Sequence, residues 1–381
     1  MTKLVQVLLV DDYEVNLELL EAYLTLSEIP MRIFKASNGA EAYQCINQNK
    51  LDLILLDVML PDTSGYEICR MLKNNSAYQT IPVLMITALH DKDSMLKGLA
   101  AGADEFLTKP VDKHELLLRV KNLLRLKMIT NDLDTRYQEL HKELLLATEL
   151  QKSFLPQKLP NLSGVTLDVL YKPSSFIGGD FYDFLFIDED HLGILICDVK
   201  GHGVASAMIT ATVKFQLGSL KEEYLHPENV LTNLNERLYQ FFAHTANDFF
   251  VTAFYGVLEL SSKQFIYSNA GHSEPLLCKD KQSKFLTNEE GLPLGIFSGV
   301  RYEKKIQQLN SGDHLLLYTD GILELPIGRC QENICTDLQD FFSAPEEICA
   351  GKLKLLEEEI KHYAEQHQIS DDVNYIALTL A

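Results

Sequence analysis

The sequence predicts a multidomain chain. It begins with an α/β doubly wound domain on a five-stranded parallel sheet, continues through a helical coiled-coil linker, and ends in an α+β sheet sandwich flanked by helices. Three observations predict this order. Up to about residue 125, short apolar runs alternate with amphipathic stretches of helical period. From Lys113 to Phe154 there is neither Pro nor Gly. Beyond about residue 161, strand-like runs come in antiparallel-looking pairs. The expected domains are 1–125, 126–160 and 161–381.

In the first part the apolar runs are Leu4–Val10, Met31–Ala36, Leu51–Leu56, Pro82–Thr87 and Glu105–Leu107. The helical stretches between them are Val15–Leu26, Ala40–Gln48, Ser64–Asn74 and Lys92–Ala101, and a fifth starts near Lys113. Nearly unbroken apolar runs fit strands covered on both faces, as in a parallel sheet.

In the linker, Leu116, Leu123, Leu126, Leu133, Tyr137, Leu140, Leu144, Ala147 and Phe154 fall on heptad a and d positions. Arg119, Thr130 and Gln151 interrupt the stripe. The pattern favours a self-associating coiled coil, hence a homodimer, over a solvated spacer helix. Such a helix would span roughly 60 Å at its rise per residue. Pro156 and Pro160 stop it.

The third part carries the runs Thr166–Tyr171, Phe181–Ile187, Leu192–Val199, Thr252–Leu258, Gln264–Asn269, Pro275–Cys278, Tyr302–Gln307, His314–Thr319 and Asn374–Leu380. Helical periodicity covers Gly203–Leu220, Glu228–Ala243 and Glu346–Gln366.

Composition narrows the function classes. Apolar residues at 46% and charged residues at 23% exclude wholesale disorder. The longest apolar runs fall far short of the ~20 residues that cross a bilayer. The N-terminal run breaks at Asp11-Asp12, unlike a signal peptide, so a cytoplasmic protein with no membrane partner is expected. Residues 1–125 hold 13 basic and 17 acidic residues, a net of −4, so the remainder carries −16 of the total −20. An acidic surface repels phosphate backbones, so nucleic acid is not an expected partner. Seven scattered cysteines without a C-x-x-C read as reduced thiols.

In an open parallel sheet, functional groups gather beyond the carboxyl ends of the strands. Here those ends carry Asp11-Asp12, Asp57, Thr87 and Lys109. Three carboxylates at close range repel unless a hard cation bridges them, and Mg²⁺ suits oxygen ligands. A carboxylate facing such an ion can attack phosphorus, and a lysine beside it neutralises phosphoryl charge. The segments Leu8–Asp12, Leu53–Gly65, Met85–Ala88 and Gly102–Pro110 together resemble the receiver domain of two-component response regulators. The resemblance implies Asp57 as phosphoacceptor. It implies Mg²⁺ on Asp12 directly, on Asp11 through water, on Asp57, and on the Met59 carbonyl. Thr87 and Phe106 become the switch pair and Lys109 the phosphoryl clamp. A histidine kinase or small phosphodonor is the implied partner.

In the third part, Asp residues sit beside Gly at run ends: Gly178-Gly179-Asp180 with Asp183, Asp198 to Gly203, Thr319 to Glu324, and Asp371-Asp372. Glycines let backbone approach a ligand closely, and oxygen-only donors select Mg²⁺ or Mn²⁺. Two such ions sharing a carboxylate suit phosphoryl hydrolysis. These segments, with Gln151–Pro156, Phe249–Leu258, Asn269–His272, Gly291–Gly295 and Gly312–Glu324, resemble the SpoIIE-type branch of the metal-dependent (type 2C) serine/threonine phosphatases. The resemblance implies two Mn²⁺ or Mg²⁺ ions, with Asp198 bridging them. Asp180, Asp320, Asp371 and the Val199 carbonyl complete the shells. Asp183, Asp372, Lys200 and His202 rank lower as neighbours, and His272 reads as structural. It also implies a phosphorylated protein substrate, typically an anti-sigma-factor antagonist. The branch lacks the phosphate-binding arginine of the wider class, so the sequence leaves open how substrate phosphate is held.

The expected function is therefore a response regulator whose phosphorylation controls a protein phosphatase. The alternative is a non-catalytic adaptor, which the complete acidic set disfavours. A DNA-binding output conflicts with the charge and the lack of a basic recognition helix.

Overall fold

A computed structural model of the chain describes residues 4–88, 92–201, 203–245, 249–279, 282–286, 291–325, 349–367 and 369–381. The chain forms two compact units, Met1–Leu140 and His141–Ala381.

In the first unit, strands β1 (Val5–Val10), β2 (Met31–Ala36), β3 (Leu53–Asp57), β4 (Val83–Thr87) and β5 (Glu105–Thr108) form one sheet in the order β2-β1-β3-β4-β5. All pairings are parallel. Helices α1 (Glu14–Thr25), α2 (Gly39–Gln48), α3 (Gly65–Asn74), α4 (Lys92–Ala100) and α5 (Lys113–Phe154) alternate with the strands. Successive strand side chains face opposite ways, so each run feeds two cores. Leu8, Val10, Ile54, Leu56, Val83 and Met85 pack with residues of α2 and α3. Val7, Leu9, Leu53, Leu55, Leu84 and Ile86 pack with α1 and with Leu116, Val120, Leu123 and Leu124 of α5. This double covering is why the runs read as continuously apolar.

Helix α5 is a single element, and its heptad stripe has three environments. Leu116 and Leu123 belong to the receiver core. Leu126, Leu133, Tyr137 and Leu140 are each more than half exposed. Gln151 is buried and Phe154 packs against the core of the second unit. Lys127 fixes the helix within the first unit by donating to the carbonyl and hydroxyl of Thr80, both at 2.8 Å.

The second unit has two antiparallel sheets. One is ordered β13 (Lys305–Gln308), β10 (Gln264–Ala270), β9 (Val251–Glu259), β8 (His191–Val199), β7 (Asp180–Phe186). The other is ordered β12 (Gln282–Phe285), β11 (Leu276–Lys279), β14 (His314–Tyr318), β15 (Val373–Leu380), β6 (Val165–Lys172). The period of two again assigns the faces. Leu315, Leu317, Ile376 and Leu378 enter the core shared with the first sheet. Leu316, Tyr318, Tyr375 and Ala377 turn the other way and pack on Leu356 and Ile360 of α8 (Cys349–Gln366). Helices α6 (Val204–Gly218) and α7 (Pro227–Phe242) pack on the first sheet through Ile209, Val213, Val230, Leu234 and Leu238. Strand β12 was not among the expected runs; it is four residues long and mostly polar. The expected helical residues 346–348 lie outside the described residues. No helix among the described residues is long and apolar enough to cross a membrane.

Candidate functional site

In the first unit the chain ends of β1, β3 and β5 bring the expected groups together. Asp11, Asp12 and Asp57 each offer one carboxylate oxygen within 4.8 Å of the others. The Lys109 ammonium donates to Asp11 Oδ2 at 2.8 Å and to Asp57 Oδ2 at 2.7 Å. Asp11 is oriented by the Tyr13 N–H and the Asn16 amide, at 3.0 and 2.8 Å on its other oxygen. The Met59 N–H lies 3.4 Å from Asp57 Oδ1. A Cβ at Gly65 would sit 2.2 Å from the Asp57 carbonyl, so glycine is required where the loop after β3 closes back.

Burial pushes the Asp57 carboxyl upward, and the Lys109 ammonium opposes that shift. On Lys109 burial works against the charge, but the bonds to Asp11 and Asp57 prevail and raise its pKa. Thr87 is buried at the end of β4, and its carbonyl accepts the Lys109 N–H at 2.8 Å. Phe106 packs against α4, where a Cβ on Gly98 would meet its ring at 2.3 Å. The Lys109-Pro110 bond is cis.

In the second unit the acidic groups sit at one end of the paired sheets. Asp180 opens β7 and lies opposite Asp198 near the end of β8. Asp320 follows β14, and Asp371 precedes β15. Thr319 donates to Asp180 Oδ2 at 2.7 Å and itself accepts from the Asn374 N–H at 3.1 Å. The bond therefore ties one sheet's carboxylate to the other sheet. Asp180 is almost fully buried, and burial followed by the charge of Asp198 raises its pKa strongly. Burial, then Asp320 and Asp371, push Asp198 up to about 7. Asp320 and Asp371 are also raised, chiefly by burial. Four carboxylates that resist ionisation together form a donor set suited to divalent cations. No three of them bring oxygens within 4.8 Å of one another, unlike the receiver trio.

The neighbouring residues have distinct roles. Asp372 does not face the cluster freely. Its Oδ2 accepts the Gly179 N–H at 2.5 Å, and its Oδ1 accepts the Ser174 N–H and hydroxyl at 2.7 and 2.9 Å. It clasps the glycine turn that carries Asp180. A Cβ on Gly178 would meet that carboxylate at 2.4 Å, and one on Gly179 would lie 2.8 Å from the Val199 carbonyl. Asp183 lies on the opposite face of β7, an odd number of residues from Asp180. There, itself buried, it pairs with the partly exposed Lys214 of α6 at 2.5 Å. His272 is buried and held near pKa 3 by desolvation, so it stays neutral; its Nδ1 lies 2.9 Å from the Thr252 hydroxyl. Lys200 is exposed and lies 5.3 Å over the Phe250 ring. His202 lies outside the described residues.

Sequence reasoning missed one contact. Gln151, read only as a polar break in the heptad stripe and as part of a motif, donates to the Gly178 carbonyl at 2.7 Å and accepts the Gly178 N–H at 3.1 Å. The last turns of α5 thus hold the backbone two residues before Asp180.

Residues 7–121 match the family model of the response regulator receiver domain, and residues 188–381 match that of Stage II sporulation protein E, SpoIIE. The chain belongs to the SpoIIE family and carries a receiver domain ahead of its phosphatase-like domain. It is 29% identical over 269 residues to phosphoserine phosphatase RsbU of Bacillus subtilis, covering 70% of this chain and 77% of RsbU. It is 31% identical over 236 residues to phosphoserine phosphatase RsbP of the same organism, covering 62% of this chain but 57% of RsbP. The SiaA-PP2C domain of Pseudomonas aeruginosa shares the fold, with a TM-score of 0.56 at 19% identity over 65% of this chain and 99% of that one.

Proposed function

We propose that the chain is a response regulator in which phosphorylation at Asp57 controls a metal-dependent phosphatase acting on phosphoserine or phosphothreonine of a protein, an anti-sigma-factor antagonist being the substrate class. The domain bounds we propose are 1–125 for the receiver, 126–160 for the linker and 161–381 for the phosphatase. The observation that carries the reading is the presence of two acidic constellations on one chain, Asp11, Asp12 and Asp57 in the first unit and Asp180, Asp198, Asp320 and Asp371 in the second, with α5 running from the receiver core to Gln151 on the Gly178 backbone.

In the receiver, an Asp57 oxygen forms a bond to phosphorus as the bond to the histidine kinase or small phosphodonor breaks. Lys109 already bridges Asp57 and Asp11, so it is placed to pair with the arriving phosphoryl oxygens. Asp11, Asp12, Asp57 and the Met59 carbonyl are the proposed Mg²⁺ ligands, and Thr87 and Phe106 the proposed switch.

In the phosphatase, Asp180, Asp198, Asp320, Asp371 and the Val199 carbonyl are the proposed ligands of two Mn²⁺ or Mg²⁺ ions, with Asp198 shared. Held there, such ions would supply a more acidic bound water and positive charge for the phosphoryl group. Thr319 fixes the Asp180 carboxylate, and Asp372 and Gln151 fix the turn that carries it.

The exposed stripe Leu126, Leu133, Tyr137 and Leu140 covers little more than two heptads, enough for a weak homodimer seam. Phosphorylation would then change pairing along α5 and, through Gln151, the turn before Asp180. The test is Mn²⁺-dependent phosphate release from a phosphoserine peptide and from p-nitrophenyl phosphate. Asp198→Asn and Asp320→Asn are expected to lose most activity while staying folded. A wild-type rate in Asp198→Asn would overturn the assignment.

A further inference from the structure

Beyond the end of β8 and the start of β9 lies a cavity of about 450 Å³ that no role above uses. Its walls include Lys200, Tyr239, Phe242, Phe250, Gly295 and Ile296. On its wall, Lys200 stands two residues after Asp198 in the chain and next to Val199.

The walls are held by specific bonds. The Lys200 N–H donates to the Phe250 carbonyl at 3.1 Å. Val251 and Leu294 exchange both backbone bonds, at 3.1 and 2.8 Å, which sets Gly295 and Ile296 beside the start of β9. The Gly295 N–H donates to the side chain of buried Asn235 at 2.9 Å. Gly295 has φ +86°, and a Cβ there would meet the Phe242 ring at 2.5 Å. The aromatic wall and the glycine turn therefore fit only each other. Ile296 stays partly exposed at the mouth, and Lys200 lies over Phe250 with its ammonium free to meet an anion.

Lys200 is the one charged side chain lining the cavity among the described residues. It stands in a part of the chain, residues 126–381, that carries −16 of the total −20. A phosphorylated segment approaching the aspartate cluster is repelled by its carboxylates, and Lys200 offers a cation close to them in the chain. The cavity has a mixed lining: the side chains of Tyr239, Phe242, Phe249, Phe250 and Ile296 form its apolar part, and Lys200, Thr245 and backbone its polar part, a combination that matches an apolar side chain beside an anionic group.

We propose that this cavity is a substrate subsite of the phosphatase. It takes an apolar side chain adjacent to the phosphoserine or phosphothreonine, while Lys200 pairs with an anionic oxygen of the same segment. The inference rests on the phosphatase reading and adds the sequence class of the substrate: an apolar residue next to the phosphorylated one. Lys200 and Ile296 are specificity residues, and neither takes part in the ligand set.

The test uses the full chain and two short phosphoserine peptides, one with leucine on both sides of the phosphoserine and one with glycine there. Their kcat/KM values with Mn²⁺ are compared, and the inhibition of p-nitrophenyl phosphate hydrolysis by each peptide is measured with Mn²⁺ present. The leucine peptide is expected to be favoured about tenfold in both assays, as for apolar side chains in a fitted pocket. Ile296→Glu should erase that preference. Lys200→Ala should weaken both peptides, and Lys200→Arg should restore them. Equal treatment of the two peptides by the wild type, or an unchanged preference in Ile296→Glu, overturns the subsite. Hydrolysis of p-nitrophenyl phosphate separates the two failures. If it persists while peptide preference is absent, only the subsite is wrong; if it is absent with Mn²⁺, the phosphatase reading is wrong.

Discussion

In the receiver unit Lys109 reaches both Asp11 and Asp57, at 2.8 and 2.7 Å, whereas Asp180, Asp198, Asp320 and Asp371 have no cationic partner among the described residues. Both sites crowd carboxylates at strand ends, but their electrostatics differ. The receiver trio contains its own counter-charge and is gathered tightly enough for a single ion. The phosphatase quartet is spread wider, and its members are pushed toward protonation, Asp198 to about 7. In the proposed reading, one site receives a phosphoryl group beside a lysine already in place, and the other relies on bound cations for both charge balance and chemistry.

The largest expected effect breaks the phosphatase side. Asp198→Asn should lower Mn²⁺-dependent hydrolysis of p-nitrophenyl phosphate by about a hundredfold or more, since it removes the carboxylate proposed to serve both ions. Asp57→Ala should instead abolish phosphoryl incorporation from acetyl phosphate, read as a mass shift. If the two variants exchange phenotypes, the division of labour between the units is wrong.

Removing the receiver's internal cation comes next. Lys109→Met leaves the buried Asp11 and Asp57 without their cationic partner and should cost the first unit about 3 kcal/mol in urea unfolding. Mg²⁺ should recover much of that loss, because it supplies the missing charge. An unchanged unfolding midpoint would mean that the ion pair contributes nothing.

The linker test has a smaller expected effect. Leu133→Asp with Leu140→Asp puts charge into the exposed stripe and should weaken dimers in sedimentation. If the oligomeric state and the response to beryllofluoride both match the parent, α5 is a spacer.

The pH dependence sharpens the comparison further. Burial, then the neighbouring carboxylates, push Asp198 up to about 7 in the folded protein, above the ordinary carboxylate value near 4. Between these values the folded state binds more protons than the unfolded state, so metal-free stability should fall as pH rises from about 4 to about 7. Mn²⁺ binding competes with those protons. The rise in melting temperature on adding Mn²⁺ should therefore be larger at pH 8 than at pH 5.5. An equal rise at both pH values would contradict the assignment of these groups as ligands.

Much of the architecture was legible in the residues. The parallel sheet announced itself through runs apolar on both faces, because covering helices leave no polar side. The paired sheets showed through alternation in runs such as Leu315–Tyr318, where one parity serves each core. What escaped notice depended on contacts distant in sequence. Gln151 reads as a flaw in a heptad, because its partner is the backbone of Gly178. Asp372 reads as a second copy of Asp371, yet its oxygens are taken up by Gly179 and Ser174. Strand β12 lacks the apolar content that marks a strand, since it pairs only with β11 at a sheet edge. Asp183 was readable in principle: an odd offset from Asp180 on one strand places the two on opposite faces.

The central claim is that the receiver governs the phosphatase. Its most direct test is the Mn²⁺-dependent dephosphorylation rate of a phosphoserine peptide by the full chain, with and without beryllofluoride. Beryllofluoride should change the rate several-fold, and the change should vanish in Asp57→Ala. The same rate in both conditions, from a protein whose receiver has bound beryllofluoride, would contradict it.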